Sequence, residues 1–224
     1  MPTYDAVCFD LDHTLCVPTQ DPEEVLATAF ERVGCDPFCG HGDVRPLIPD
    51  LPTARTDREF HENLFAAAAR RFEGDPTLAP DLAEAYLATA DPSAVRFRDG
   101  AEAALALARE RAEAVGLITN GSRETQTEKL ESLGITDAFD VSVFVDPANG
   151  IPPKPEPAPF ETAFAALGTG PEDAIHVGDS LYADVAGANA VGMDSAWLAT
   201  DGGSDPAHEP THVVDSLTDV GAIL

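Results

Sequence analysis

Short, nearly continuous apolar runs alternate with amphipathic stretches through the second half of the chain, and a similar run lies near its start. The apolar runs predict buried strands at residues 4–9, 114–119, 141–145, 174–177, 195–198 and 211–214. The stretches between the later runs predict helices at residues 102–114, 122–133, 159–167 and 182–191. Buried strands that alternate with helices are typical of α/β proteins, so we predict a doubly wound parallel sheet.

Residues 21–90 carry helix signals and no convincing strand pattern. One predicted helix begins at Asp21, which precedes a proline and two glutamates and is therefore a good N-cap residue. A second begins with the capping box formed by Thr56 and Glu59, and a third spans residues 80–90. We therefore predict an all-helical domain inserted into the α/β domain.

The change of pattern sets the expected domain boundaries. We predict that residues 1–17 and 92–224 form the α/β domain and that residues 18–91 form the helical insert. The α/β domain is then interrupted shortly after its first strand.

The charge of the chain limits its partners. It carries 40 acidic and 13 basic residues, for a net charge of -27. Such a surface repels nucleic acid and anionic lipid, so we expect neither as a partner and a small molecule instead. Because the acids are spread through amphipathic segments and 44% of the residues are hydrophobic, we interpret the charge as adaptation to high salt rather than disorder.

The sequence also indicates a cellular setting. No basic and then apolar leader begins the chain, and no apolar run reaches membrane-spanning length. Four cysteines do not make a disulfide framework in 224 residues. We therefore expect a cytoplasmic protein, in a cell with a high-salt interior.

Polar residues follow four of the predicted strands, where ligands bind in open parallel sheets. They are Asp10, Asp12 and Thr14 after the first strand, Thr119, Asn120 and Gly121 at the second, Lys154 after the third, and Asp179, Ser180 and Asp184 after the fourth. Carboxylates suit Mg²⁺, and a lysine with hydroxyl and amide donors can cradle a phosphoryl group. Asp10 can then attack phosphorus as a nucleophile, while Asp12 serves as the acid and base.

Four segments carry a family resemblance. The residues "DLDHT" (10–14), "TNG" (119–121), "KP" (154–155) and "GDSLYAD" (178–184) resemble, in order, the four motifs of the haloacid dehalogenase-like hydrolase superfamily. The resemblance implies a Rossmann-like core with a helical cap between the first and second motifs, as in phosphatases similar to phosphoglycolate phosphatase. It departs at His13, where many relatives have glycine, and in the doubled proline before Lys154.

The resemblance also implies roles for individual residues. It makes Asp10 the nucleophile and a metal ligand, and Asp12 the acid/base, with its backbone carbonyl on Mg²⁺. It implies that Asp179 binds the metal directly and that Asp184 orients or hydrates it. Phosphoryl binding is implied for Thr119, Lys154 and the backbone of Asn120.

These residues predict a Mg²⁺-dependent phosphatase that hydrolyses a small phosphomonoester through an aspartyl-phosphate. Phosphoglycolate, a sugar phosphate and a nucleotide are the substrates considered. A 2-haloacid dehalogenase needs neither metal nor a second acid, so Asp12 and Asp179 argue against it. A phosphomutase and a binding protein on the same scaffold remain alternatives.

Other chemically active residues receive structural interpretations. Cys35, Cys39 and His41 contain zinc-ligating atoms, but their spacing fits no paired zinc knuckle, so we assign them to the core and a loop of the insert. We interpret His176, inside a strand, as a packed core residue. We interpret Lys129, close to two glutamates within a helix, as an ordinary surface ion pair.

The charge predicts salt-dependent stability. Raising KCl from about 0.1 M to about 3 M should raise the Tm by more than about 5 °C, because molar salt screens the repulsion among carboxylates. Thermal unfolding monitored by circular dichroism measures this shift. A protein that stays folded and active with no added salt contradicts the interpretation.

Overall fold

The computed structural model describes residues 4–200 and 207–224. They form two compact units, one containing the chain up to Val17 and from Val95 onwards, and the other containing Pro18–Ala94. The first unit holds the α/β elements, and the second is helical. The assignment of these units as catalytic core and cap stays a prediction.

Six parallel strands form the sheet of the first unit, which confirms the predicted fold class. Within the described residues the strands are β1 (Ala6–Phe9), β2 (Cys16–Pro18), β3 (Val95–Phe97), β4 (Ala114–Ser122), β5 (Val141–Val145), β6 (Ala174–Gly178), β7 (Asp194–Leu198) and β8 (His212–Val214). The order across the sheet is β5-β4-β1-β6-β7-β8, and every pair is parallel. Since β1 lies between β4 and β6, the ends of these three strands are neighbours.

Helices cover both faces of this sheet, so its strands are apolar on both sides. The α-helices of the described chain are α1 (Pro22–Val33), α2 (His41–Val44), α3 (Asp57–Arg71), α4 (Ala79–Leu87), α5 (Ala101–Arg111), α6 (Arg123–Leu133), α7 (Pro157–Leu167) and α8 (Ala186–Val191). Val7 and Phe9 of β1 face the core shared with α5 and α6. Ala6 and Cys8 face the core shared with α7 and α8.

The second unit packs α1, α3 and α4 around a core that contains Phe30, Phe65 and Leu82. The predicted capping box at the start of α3 is half right. The Thr56 hydroxyl accepts a hydrogen bond from the Glu59 N–H at 3.1 Å. The Glu59 carboxylate, however, accepts from the N–H of Arg55 at 2.7 Å, one residue before the predicted partner.

Two elements differ from the sequence-based prediction. Strands β2 and β3 form a two-stranded sheet that was not predicted, because three residues are too few to show an alternating pattern. The helix predicted at residues 182–191 is divided into a π-helical turn at Leu181–Val185 and then α8. The N–H of Val185 reaches back five residues to the Ser180 carbonyl, which makes this wide turn.

The four cysteines are all free thiols, and Cys8 and Cys16 are buried. No disulfide therefore contributes to the stability of either unit. Among the helices within the described ranges, none combines the length and the apolar character needed to cross a bilayer.

The pairing of β1 with β4 generates a stability prediction. Gly116 lies opposite Cys8, and a Cβ added to it would lie 2.8 Å from the Cys8 sulfur. Gly116→Ala should therefore lower the free energy of unfolding by about 1–3 kcal/mol through overpacking. In a Cys8→Ala background the same substitution should cost less, because the clashing sulfur is gone. Urea denaturation of the four proteins tests this, and an equal cost in both backgrounds contradicts it.

Candidate active site

The carboxyl ends of β1, β4 and β6 meet at one edge of the sheet, where the predicted site residues lie. The N–H of Asp10 donates to the Val177 carbonyl at 2.9 Å, which fixes the end of β1 against β6. Thr119 lies within β4, and Asp179 directly follows β6. The structure thus places residues separated by more than a hundred positions side by side.

Lys154 lies at the centre of this edge and is 3% exposed. Its ammonium group donates to Asp10 Oδ1 at 2.7 Å, to Asp184 Oδ1 at 2.6 Å and to the Ile118 carbonyl at 2.6 Å. All three hydrogens of the ammonium group are therefore used. The doubled proline before Lys154 does not keep it from the site.

The Asn120 side chain holds the backbone of Lys154. Asn120 Oδ1 accepts from the Lys154 N–H at 2.7 Å, and Asn120 Nδ2 donates to the Lys154 carbonyl at 3.1 Å. The family resemblance implies a role for the backbone of Asn120 only. The reciprocal pair shows that its amide also ties the loop after β5 to the end of β4.

Asp10, Asp179 and Asp184 form a carboxylate cluster in which one oxygen from each lies within 4.8 Å of the others. Across the parts of the chain that the structure describes, it is the one group of three or more histidine, cysteine or acidic side chains close enough to share a metal ion. Cys35, Cys39 and His41 are not among its members. Three hard oxygen donors fit Mg²⁺, so the donor set matches the cation that the sequence suggests.

The two oxygens of Asp184 already accept hydrogen bonds. Oδ1 accepts from Lys154 and lies 2.9 Å from His176 Nε2, while Oδ2 accepts from the Ser180 N–H at 2.9 Å. The carboxylate crosses over Gly178, where an added Cβ would lie 2.2 Å from it, so glycine is required there. These contacts fit the orienting role that the resemblance implies for Asp184. One of its oxygens nevertheless lies within 4.8 Å of an oxygen of Asp10 and of an oxygen of Asp179.

The charges at this edge shift several pKa values. Burial raises the pKa of Asp10 to about 8, and the neighbouring Asp184 and Asp179 add to the effect of burial, which Lys154 only partly offsets. Burial also opposes ionisation of Asp184, but Lys154 and His176 outweigh it and lower the pKa of Asp184. The one positive charge of Lys154 does not neutralise three carboxylates, so a further cation would stabilise the cluster.

His176 is fully buried, as predicted for a core residue, and its ring meets Phe160 edge to face at 5.3 Å. It also reaches the site through Asp184, which the core interpretation missed. Burial lowers the pKa of His176, so the neutral ring donates its Nε2 hydrogen to the carboxylate. The one sequence signal was its position two residues before Gly178.

The carboxylate of Asp12 has a different set of partners. Lys129 Nζ lies 2.7 Å and 2.8 Å from its two oxygens, and Gln126 Nε2 donates to Oδ2 at 2.9 Å. The burial around Asp12 opposes its ionisation, yet Lys129 outweighs that effect and lowers the pKa of Asp12. Asp12 is thus held as a carboxylate by α6.

The interpretation of Lys129 as an ordinary surface pair was wrong. Its side chain is 15% exposed and bridges to Asp12 rather than to a neighbouring glutamate. The sequence pattern suggests a glutamate of the same helix as the partner of Lys129. The fold instead brings the carboxylate of Asp12 next to the Lys129 ammonium. The sequence signal that could have indicated this role is rarity, because Lys129 and Lys154 are the only lysines in the chain.

A family model for haloacid dehalogenase-like hydrolases matches residues 4–192. The chain belongs to this family. Two curated relatives are similar over most of its length. It is 37% identical to a phosphoserine phosphatase from Thermus thermophilus over 72% of the chain and 64% of the relative, and 38% identical to a glyceraldehyde 3-phosphate phosphatase from Pyrococcus abyssi over 86% and 80%.

Solved structures of this hydrolase family share the fold. A predicted phosphoglycolate phosphatase from Haemophilus somnus matches with a TM-score of 0.79 at 19% identity, over 100% of this chain and 99% of that one. Solved haloacid dehalogenases share the fold as well. The fold alone therefore does not distinguish the two reactions.

The contacts of the two lysines generate a matched prediction. Lys154→Met should lower the free energy of unfolding by about 3–5 kcal/mol with EDTA present, because it leaves Asp10 and Asp184 buried without their cation. Lys129→Met should cost at most about 1 kcal/mol, because its pair is partly exposed.

The loss in Lys154→Met should also shrink as the pH falls from about 8 towards about 4. Lys154 helps to keep the pKa of Asp184 low, so without it Asp184 takes up a proton as the pH falls and no longer leaves a buried charge unpaired. Urea denaturation over this pH range measures both effects. Equal losses for the two variants, or a loss independent of pH, contradict the charge balance described above.

Proposed function

We propose that the protein is a Mg²⁺-dependent phosphatase that hydrolyses a small phosphomonoester through an aspartyl-phosphate on Asp10. The observation that carries the proposal is the placement of Asp10 next to the Lys154 ammonium and within 4.8 Å of carboxylate oxygens of Asp179 and Asp184. This arrangement supplies a nucleophile together with a cation for the phosphoryl oxygens and a place for a metal. Membership of the hydrolase family and the similarity to named phosphatases support it.

The first step transfers the phosphoryl group to Asp10. An oxygen of Asp10 forms a bond to phosphorus as the bond to the leaving oxygen breaks. Asp12, which is ionised in the free protein, first takes up a proton from solvent and then gives it to the leaving oxygen. Thr119 is 3% exposed, and its hydroxyl accepts a hydrogen from Gln126. The hydrogen of the Thr119 hydroxyl remains to donate to a phosphoryl oxygen.

The second step releases phosphate. A water attacks the phosphorus of the aspartyl-phosphate and loses its proton to Asp12, and the Asp10 carboxylate is restored. Lys154 stays beside Asp10 in both steps and offsets the charge that develops on the phosphoryl group.

Mg²⁺ would be held by Asp10, Asp179 and the backbone carbonyl of Asp12, with Asp184 orienting it or its waters. When bound, it neutralises negative charge shared between the carboxylates and the phosphoryl oxygens. The raised pKa of Asp10 supports this assignment. A carboxyl group must be ionised to act as a nucleophile, and a bound cation favours the ionised form.

We further propose that the helical unit, Pro18–Ala94, acts as the cap and selects the substrate. The two relatives described above are named for phosphoserine and glyceraldehyde 3-phosphate, which widens the set of candidate substrates beyond phosphoglycolate, sugar phosphates and nucleotides. The charge supports a cytoplasmic setting at high salt and argues against nucleic acid or membrane as partners.

The alternatives explain less of the site. A 2-haloacid dehalogenase requires neither the carboxylate cluster nor a second acidic residue such as Asp12, which here pairs with Lys129. A phosphomutase needs the same residues but returns the phosphoryl group to its substrate. A binding protein has no need of a nucleophile whose carboxylate is paired with a buried lysine.

Phosphate release tests the proposal. In molar KCl with Mg²⁺, at least one ester of a panel with phosphoglycolate, phosphoserine, glyceraldehyde 3-phosphate, sugar phosphates and nucleoside monophosphates should be hydrolysed. EDTA should abolish the release, and Asp10→Asn should lower kcat/KM by at least about 10³-fold, since it removes the nucleophile. The exposed Asp137→Asn gives the same chemical change away from the site and should keep full activity.

Three results contradict the proposal. Halide release from a 2-haloacid without metal moves the protein to the dehalogenase reaction. Isomerisation of a sugar phosphate without hydrolysis indicates a mutase. Activity that persists in Asp10→Asn excludes this residue as the nucleophile.

A further inference from the structure

Helix α6 presents two side chains to the site that none of the four motifs contains. Gln126 and Lys129 are three residues apart, so both lie on the same face of the helix. Both donate to the Asp12 carboxylate, Lys129 to each of its oxygens and Gln126 to Oδ2. These three bonds fix where the carboxylate lies and which way it faces.

Gln126 also joins Asp12 to the residue proposed to bind phosphate. Its Nε2 donates both to Asp12 Oδ2 and to the hydroxyl of Thr119, across the end of β4. The side chain passes directly over Gly121, where an added Cβ would lie 2.4 Å from its amide carbon. The backbone of the second motif is thus shaped to admit this glutamine.

The burial of Gln126 has a cost that packing alone does not explain. The residue is fully buried, and its Oε1 has no hydrogen-bond partner. A buried amide with an unpaired oxygen is destabilising compared with an apolar side chain of similar shape. The amide nevertheless donates two hydrogen bonds, to Asp12 and to Thr119, that an apolar side chain could not make.

The positions of the two lysines also indicate a specific role for Lys129. The chain has two lysines among 40 acidic residues, and each pairs with one of the two aspartates of the first motif. Lys154 contacts Asp10, and Lys129 contacts Asp12. A surface ion pair would not require that both lysines of the chain lie at one edge of the sheet.

We propose that Lys129, with Gln126, is a positioning residue that holds the Asp12 carboxylate in the place from which it exchanges protons with the leaving oxygen and the attacking water. This role rests on the phosphatase function proposed above. Lys129 touches neither substrate nor metal and acts only through Asp12. Misplacement of a catalytic group by about 1 Å lowers rates by about 10²-fold, which sets the size of the effect.

Two leaving groups distinguish positioning of the acid from a structural role. An alkyl phosphate needs a proton on its leaving oxygen, whereas 4-nitrophenyl phosphate releases a stable anion that does not. Lys129→Met should lower kcat/KM for the alkyl phosphate that the wild type hydrolyses best by about 10²-fold. For 4-nitrophenyl phosphate the fall should be less than about 5-fold, because kcat/KM reports the steps up to transfer to Asp10.

Three further variants complete the experiment. Lys129→Arg keeps the charge and should recover at least about 10-fold of the loss. Arg123→Met removes a charge from the same helix, where Arg123 stacks on the Phe144 ring, and should leave both rates unchanged. Adding Lys129→Met to Asp12→Asn should lower kcat/KM by no more than about 2-fold further, because the residue through which Lys129 acts is already lost.

The outcomes separate this proposal from the function on which it rests. If the wild type releases no phosphate from either ester, the phosphatase function fails and the positioning role fails with it. If the wild type is active but Lys129→Met loses the same factor on both esters, only the positioning role is overturned. Full additivity with Asp12→Asn overturns it as well.

Discussion

The contact of the Lys154 ammonium with Asp10 and Asp184 is the interaction on which the rest of the site depends. Three carboxylates lie within 4.8 Å of one another at a buried edge of the sheet, and one buried cation balances part of their charge. Two uncompensated carboxylates would be strongly unfavourable there, so the lysine must be held in place. Asn120 does this through its two hydrogen bonds to the backbone of Lys154.

The carboxylate charge that Lys154 does not balance makes the site suited to binding a cation. A carboxyl group that burial and its neighbours keep protonated near neutral pH is a poor nucleophile until a cation joins it. In the proposed function, metal binding would favour the ionised form of Asp10 and so make the proposed nucleophile available. Asp12 differs, because Lys129 and Gln126 already hold it as a carboxylate on the other side of the first motif.

Much of the fold was predictable because its signals are local. Continuous apolar runs locate the strands, and helix caps such as Asp21 and Thr56 mark where the helices begin. Strands β2 and β3 were missed because they are three residues long, and the π-helical turn at Leu181–Val185 was missed because its width follows from contacts of Ser180. Those contacts arise only when the chain is folded.

The sequence by itself determined the alternation of strands and helices, the polar residues at the strand ends and the family, since these depend on residue type and order along the chain. The tertiary structure decided which polar groups face one another. It pairs Lys129 with Asp12, 117 positions away, and it joins His176 to Asp184 across the end of β6. Such pairs depend on how strands and helices come together in space, and hydrophobic periodicity carries no record of that geometry.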